Sequence, residues 1–142
     1  MPDKDVVLAK VAIIQRCLKR ITGTTKMAPQ SLDDIDRQDI FVLNLQRAVQ
    51  ASIDLATHVI ASEGLGLSET IKENFSLLQR AGIINKDLTG KMESMVGFRN
   101  IAVHDYKSIE INILKSILMN NLKDLEDFYT TILLHFKFAK EE

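Results

Sequence analysis

Phe41-Val42-Leu43-Asn44-Leu45-Gln46-Arg47-Ala48-Val49-Gln50-Ala51-Ser52-Ile53-Asp54-Leu55-Ala56-Thr57-His58-Val59-Ile60 decides what kind of fold this chain adopts. Phe41, Leu45, Ala48, Ser52, Leu55 and Val59 recur at helical spacing and form one stripe. Val42, Val49, Ile53, Ala56 and Ile60 form a second stripe beside it. Two adjacent stripes describe a helix buried over a wide arc, with bounds near Asp36 and Ser62. On the opposite side Arg47, Gln50, Asp54 and His58 make a polar row. Such a row is either a solvated face or, in part, the lining of a site or a subunit contact. Asp54 and His58 are too few to hold a metal, which needs about three or four ligands, so no metal site is expected.

Upstream, Val7, Val11, Ile14, Leu18 and Ile21 form the stripe of a first amphipathic helix. Asp3 or Asp5 is expected to cap its start and Gly23 its end, with Thr24 to Ser31 as a connector. Downstream, Gly64 and Gly66 end the long helix. Ser68 is the expected cap of a third helix carrying Ile71, Phe75 and Leu78, closed by Gly82. Asn85 or Asp87 opens a fourth, with Leu88, Met92, Met95, Arg99 and Ala102 on one stripe. A fifth is expected from about Ser108 to Lys140, on Ile111, Leu114, Leu118, Leu122, Leu125, Tyr129, Ile132 and Phe136. The expected architecture is all-α, a bundle of four to five helices in a single domain over residues 1–142. Helices two and five are long enough to overhang a compact monomer, so a homodimer is expected.

The totals restrict function. With 142 residues and 46% hydrophobic content, the chain can bury a substantial core. Its formal net charge of -1 excludes coating nucleic acid through bulk charge, so any contact with RNA must be local. The single Cys17 precludes an internal disulfide, and its apolar setting marks it as a packing thiol. No run approaches the roughly 18 apolar residues of a membrane span, and the N-terminus has no signal-peptide core. A soluble, cytoplasmic protein with no membrane partner is expected.

The chemistry concentrates in Gly97-Phe98-Arg99-Asn100-Ile101-Ala102-Val103-His104-Asp105-Tyr106, where the fourth helical pattern stops. On a helix Glu93, Gly97, Asn100 and His104 share one face, and Asn100 stands one turn from His104, close enough to orient its imidazole. Gly97 costs roughly 0.5–1 kcal/mol in a helix interior, which suggests that another backbone or a ligand comes close there. Arg99 lies roughly 140° from His104 on an ideal helix and needs a partner or a cleft of its own. It either curls round to His104, or the helix loosens, or a second subunit brings a copy of one group to the other. These groups suit cleavage of an RNA phosphodiester without metal. An imidazole can take the 2′-hydroxyl proton, and a guanidinium grips phosphate and stabilises charge developing on its oxygens. A structural role for the pair, with His104 capping the last carbonyls of the helix, accounts for the same spacing.

Arg99-Asn100-Ile101-Ala102-Val103-His104-Asp105-Tyr106 fits an R-x4-H-x-Y pattern and resembles the motif of the HepT-like family of HEPN-domain ribonuclease toxins. Gln46 to Ala56 resembles that family's second helix, and the similarity extends over nearly the whole chain. The resemblance implies a HEPN-like homodimer whose motifs meet in a cleft and cleave mRNA or tRNA without a metal or other cofactor. It implies that Arg99 and His104 are catalytic and that Asn100 supports them. It also implies a partner, an MNT-type nucleotidyltransferase antitoxin, that neutralises the toxin by AMPylation of Tyr106. Two other readings compete. One is a non-catalytic HEPN dimer that binds a nucleotide or a protein. The other is a protein that serves chiefly as its partner's substrate.

Overall fold

The computed structural model describes residues 1–139 of the 142. Six α-helices account for most of them: α1 (Lys4–Thr25), α2 (Ile35–Glu63), α3 (Ile71–Arg80), α4 (Lys86–Asp105), α5 (Ile111–Asn120) and α6 (Leu122–His135). Short 3₁₀ turns, Pro29–Asp33 and Tyr106–Ser108, join α1 to α2 and α4 to α5.

Helix α2 is the axis of the bundle. Its 29 residues reach about 44 Å. Every residue of its two apolar stripes is buried. Helix α1 packs along it, α3 and α4 cover a second side, and α6 closes the core against α1, α2 and α4. Phe75 of α3 and Phe128 of α6 meet edge to face inside, with ring centroids 5.5 Å apart, a geometry aromatic pairs favour. Within the core, polar side chains bond locally. Asn44, Ser52 and Thr89 each donate to the carbonyl four residues before them, which removes the cost of burying them.

Helix ends follow the capping chemistry in most places. Asp3 caps α1 by accepting from the Asp5 and Val6 amides, and Asn85 caps α4 by accepting from Leu88 at 2.8 Å. Gly64 closes α2 and Gly82 follows α3, both with left-handed φ (62° and 77°).

Four expectations need correction. Helix α1 does not stop at Gly23. Thr22 and Thr25 hydroxyls bond back to the Leu18 and Ile21 carbonyls, Thr25 is buried, and the left-handed cap falls on Lys26 (φ 54°). Leu18 of the expected α1 stripe packs only at the margin of the core, while the neighbouring Cys17 is buried. The cap of α3 is Thr70, which accepts from Glu73; Ser68 instead donates to Asn74, whose amide reaches Thr57 on α2. The long fifth helix is two helices. It breaks at Asn121, whose side-chain amide donates to Asp124 Oδ2 at 3.1 Å. Asparagine favours such local bonding over helix continuation. Leu114, Leu118, Leu122, Leu125, Ile132 and Phe136 remain buried across the break. Ser108 belongs to the preceding 3₁₀ turn, and the expected end at Lys140 lies outside the described residues. Among the described residues, therefore, the bundle has six helices, and of the two long helices expected only α2 is present.

Candidate active site

The last two turns of α4 carry the motif past the middle of α2. There the polar row of α2 meets it. Arg99 Nη2 donates to Gln50 Oε1 at 2.7 Å, and Arg99 Nη1 donates to Asn100 Oδ1 at 2.9 Å. Gln50 Nε2 in turn donates to Asp54 Oδ1 at 2.9 Å, and Lys10 of α1 pairs with Asp54 Oδ2 at 3.3 Å. A chain of polar contacts thus runs from α1 through α2 to the guanidinium. It satisfies an arginine placed on the core-facing side of α4 and aims its planar head. One member of the polar row of α2, Gln50, therefore bonds to the motif segment, and Asp54 bonds to Gln50. His58, in the same row, accepts the Asp3 amide at 3.1 Å, and both Asp54 oxygens are engaged.

Asn100 serves the arginine rather than the histidine. Among the described residues His104 has no hydrogen-bond partner, and its side chain is exposed in the last turn of α4. Among the described residues Arg99 and His104 share no hydrogen bond: the arginine bonds to Gln50 of α2 and to Asn100, while His104 is exposed. The chain leaves helical geometry only at Asp105 (φ -157°, ψ 74°).

At Gly97 the close neighbour is neither backbone nor a gap. A Cβ there would lie 3.6 Å from Lys72 Nζ and 3.9 Å from its Cε. Lys72 of α3 therefore carries an ammonium against Gly97, and among the described residues it forms no ion pair. A positive group lies on the motif face although the chain as a whole is near neutral.

Tyr106 follows at the turn after α4. Ser108 donates to the Asp105 carbonyl at 2.8 Å and the Ile109 amide to the Tyr106 carbonyl at 3.1 Å, which fixes the reversal. The phenol reaches back to the first turns of α2, where its hydroxyl lies 2.7 Å from both Gln38 Oε1 and Asp39 Oδ1. Burial, then the hydrogen bond and charge of Asp39, push the phenol's pKa well above the ordinary tyrosine range.

The sequence brought Arg99, Asn100, His104 and Tyr106 into view as one segment. Gln38, Asp39 and Lys72 escaped it, because they reach the segment from α2 and α3 and carry no local pattern. An apolar cavity of about 520 Å³ lies on the adjacent side of α4, between Phe98, Ile101 and Ile113, and takes no part in this polar cluster. No three His, Cys, Asp or Glu side chains gather as metal ligands among the described residues.

The fold and site define a class: a helical bundle that presents an arginine, its amide partner and an exposed histidine at the end of one helix. The family model for Ribonuclease HepT-like proteins matches residues 14–132, and the chain belongs to that family. It is 37% identical over 128 residues to the mRNA nuclease HepT of Shewanella oneidensis, covering 90% of this chain and 96% of the relative. It is 30% identical over 111 residues to the tRNA nuclease HepT of Aphanizomenon flos-aquae, covering 75% and 74% of the two chains. Among solved structures it resembles a toxin–antitoxin crystallised with AMP-PNP (TM-score 0.86, 35% identity, 92% and 98% coverage). It matches equally well a tri-AMPylated Shewanella oneidensis HEPN toxin in complex with an MNT antitoxin (TM-score 0.86, 36% identity, 92% and 98% coverage).

Proposed function

We propose that Arg99 and His104 cleave RNA by acid–base chemistry without a metal, in a cleft formed where two copies of this single-domain chain (residues 1–142) meet. The chain is the ribonuclease toxin of a toxin–antitoxin pair whose antitoxin is an MNT-type nucleotidyltransferase. The observation that carries the catalytic reading is the opposite orientation of the two groups, Arg99 bonded inward to Gln50 and His104 exposed. A symmetric dimer gives each arginine an imidazole from across the interface and gives the cleft two histidines. One takes the 2′-hydroxyl proton as the oxygen attacks phosphorus. The other returns a proton to the departing 5′-oxygen. Arg99, aimed by Gln50 and Asn100, stabilises the charge gathering on the phosphoryl oxygens. Lys72 offers a further contact for the RNA backbone.

Tyr106 is the residue the antitoxin modifies with AMP. A phosphodiester added there places negative charge at the mouth of the cleft and repels RNA. The relatives act on mRNA and on tRNA; for this chain we propose RNA of one of those two classes, met in the cytoplasm. Among the described residues no helix is long and apolar enough to cross a membrane. The test is growth. Expressed without its partner, the wild-type chain arrests cells and His104→Ala does not, while both remain dimeric. With the partner present, wild type is neutralised and Tyr106→Phe is not. Arrest by His104→Ala would contradict the catalytic reading, and full neutralisation of Tyr106→Phe would contradict the modification reading.

A further inference from the structure

We infer that the cleft beside Tyr106 is the acceptor pocket for the incoming nucleotidyl group, and that Asp39 is the base that takes the phenolic proton as the group is transferred. The inference rests on the reading of Tyr106 as the modified residue and adds to it the groups on this chain that make the phenol reactive.

A cavity of about 400 Å³ opens directly at the tyrosine, lined by Ile35, Gln38, Asp39, Tyr106, Lys107 and Ile109. That volume falls within the range of about 300–1,000 Å³ typical of small-molecule sites. Its walls suit a nucleotide. Ile35 is 62% exposed and, with Ile109, offers apolar surface to a base. Lys107 supplies a cation on the same rim for phosphoryl oxygens.

The hydroxyl geometry assigns the base. Tyr106 has one proton and two acceptors at 2.7 Å, Gln38 Oε1 and Asp39 Oδ1. An ionised carboxylate accepts the stronger hydrogen bond of the two. Gln38 is pinned, because its Nε2 donates to the Leu32 carbonyl at 3.1 Å, so its oxygen stays turned to the phenol and orients it. The phenol is held neutral by burial and by Asp39, and a neutral phenol is a poor nucleophile that needs a base. The carboxylate that opposes early ionisation is the one placed to receive the proton when the new bond forms. In the step, Tyr106 Oη bonds to the α-phosphorus of ATP, the bond from that phosphorus to the β-phosphate oxygen breaks, pyrophosphate leaves, and the proton passes to Asp39 Oδ1.

The test uses unmodified chain with its nucleotidyltransferase partner and ATP, read by intact mass and by peptide mapping of Tyr106. Wild type, Tyr106→Phe, Asp39→Asn and Asp39→Glu are compared across pH, with helicity checked first. Asp39→Asn keeps an oxygen acceptor for the phenol but removes the base. Its initial rate at neutral pH is expected to fall about 100-fold with the KM for ATP little changed. Its rate should then climb with pH over the range where the wild-type rate is flat, and Asp39→Glu should recover part of the loss. If wild type gains AMP on Tyr106 and Asp39→Asn matches it in rate and pH profile, the assignment of Asp39 fails while the modification reading stands. If wild type gains no AMP, or Tyr106→Phe gains as much, both fail together.

Discussion

Arg99 on α4 and Gln50 on α2, 49 positions apart in the chain, are joined at 2.7 Å, and that bond aims the guanidinium. The glutamine is itself held by Asp54, which Lys10 anchors from α1. The first consequence concerns Gln50→Ala. The change removes both side-chain hydrogen bonds of Gln50. Loss of the one to Arg99, worth about 0.5–1.5 kcal/mol, should lower kcat/KM for RNA by about tenfold, and loss of the pair should lower the unfolding midpoint modestly. Parallel cleavage assays and urea titrations check it. A large loss of stability with unchanged cleavage per folded molecule would assign Gln50 a purely structural role.

Arg99→Lys is expected to behave almost as Arg99→Ala. Arg99 uses two different nitrogens for Gln50 and Asn100, a fork that a lysine ammonium cannot reproduce. Single-turnover cleavage should show a loss of at least about 100-fold in both variants. His104→Ala should lose activity to a similar degree with stability within about 0.5 kcal/mol of wild type, because its side chain is exposed and forms no hydrogen bond among the described residues.

His104→Ala subunits are expected to poison wild-type ones, because a mixed dimer holds one imidazole where the cleft uses two. After random exchange of equal amounts, about a quarter of the dimers keep both histidines, against about half before it, so cleavage should fall about twofold. Cleavage left unchanged by verified exchange would show that a site works with a single histidine and would contradict the shared cleft.

Tyr106 gives the protein an alkaline signature. Its folded pKa is raised by burial and by Asp39, so its protonated form stabilises the fold. That contribution is complete below the unfolded value of about 10 and is lost as pH rises through the folded value. The difference in stability between wild type and Tyr106→Phe should therefore hold constant to about pH 10 and shrink above it. Tyrosinate absorbance should rise later in wild type than an exposed tyrosine allows, with the late component missing from Tyr106→Phe.

How much the sequence discloses depends on range. The arc of α2 could be read because both of its stripes are periodic, and burial follows them residue by residue. The break at Asn121 could not be read, because Leu118 and Leu122 keep helical spacing straight through it while the backbone changes course. Gly23 misled as well: the helix runs past it to the buried Thr25, and the left-handed cap falls on Lys26, whose amide donates to the Thr22 carbonyl. In the site, Arg99, Asn100, His104 and Tyr106 sit within one short segment and share a visible pattern. The service of Asn100 to Arg99 rather than His104 depends on rotamers and on Gln50, which spacing does not encode. Asp39 and Gln38 meet Tyr106 across 67 and 68 positions, and Lys72 crosses to Gly97 from another helix. Nothing local marks those three residues.

The most direct test of the central claim is cleavage of RNA by the purified, unmodified chain in EDTA, free of its partner. Wild type, Arg99→Ala and His104→Ala would be assayed side by side on total cellular RNA, tRNA alone and ribosome-associated mRNA. Discrete cleavage of at least one substrate by wild type, absent from both variants, is the expected result. Intact RNA in all three substrates with wild-type protein, or equal cleavage by all three proteins, would contradict a metal-independent nuclease built on Arg99 and His104.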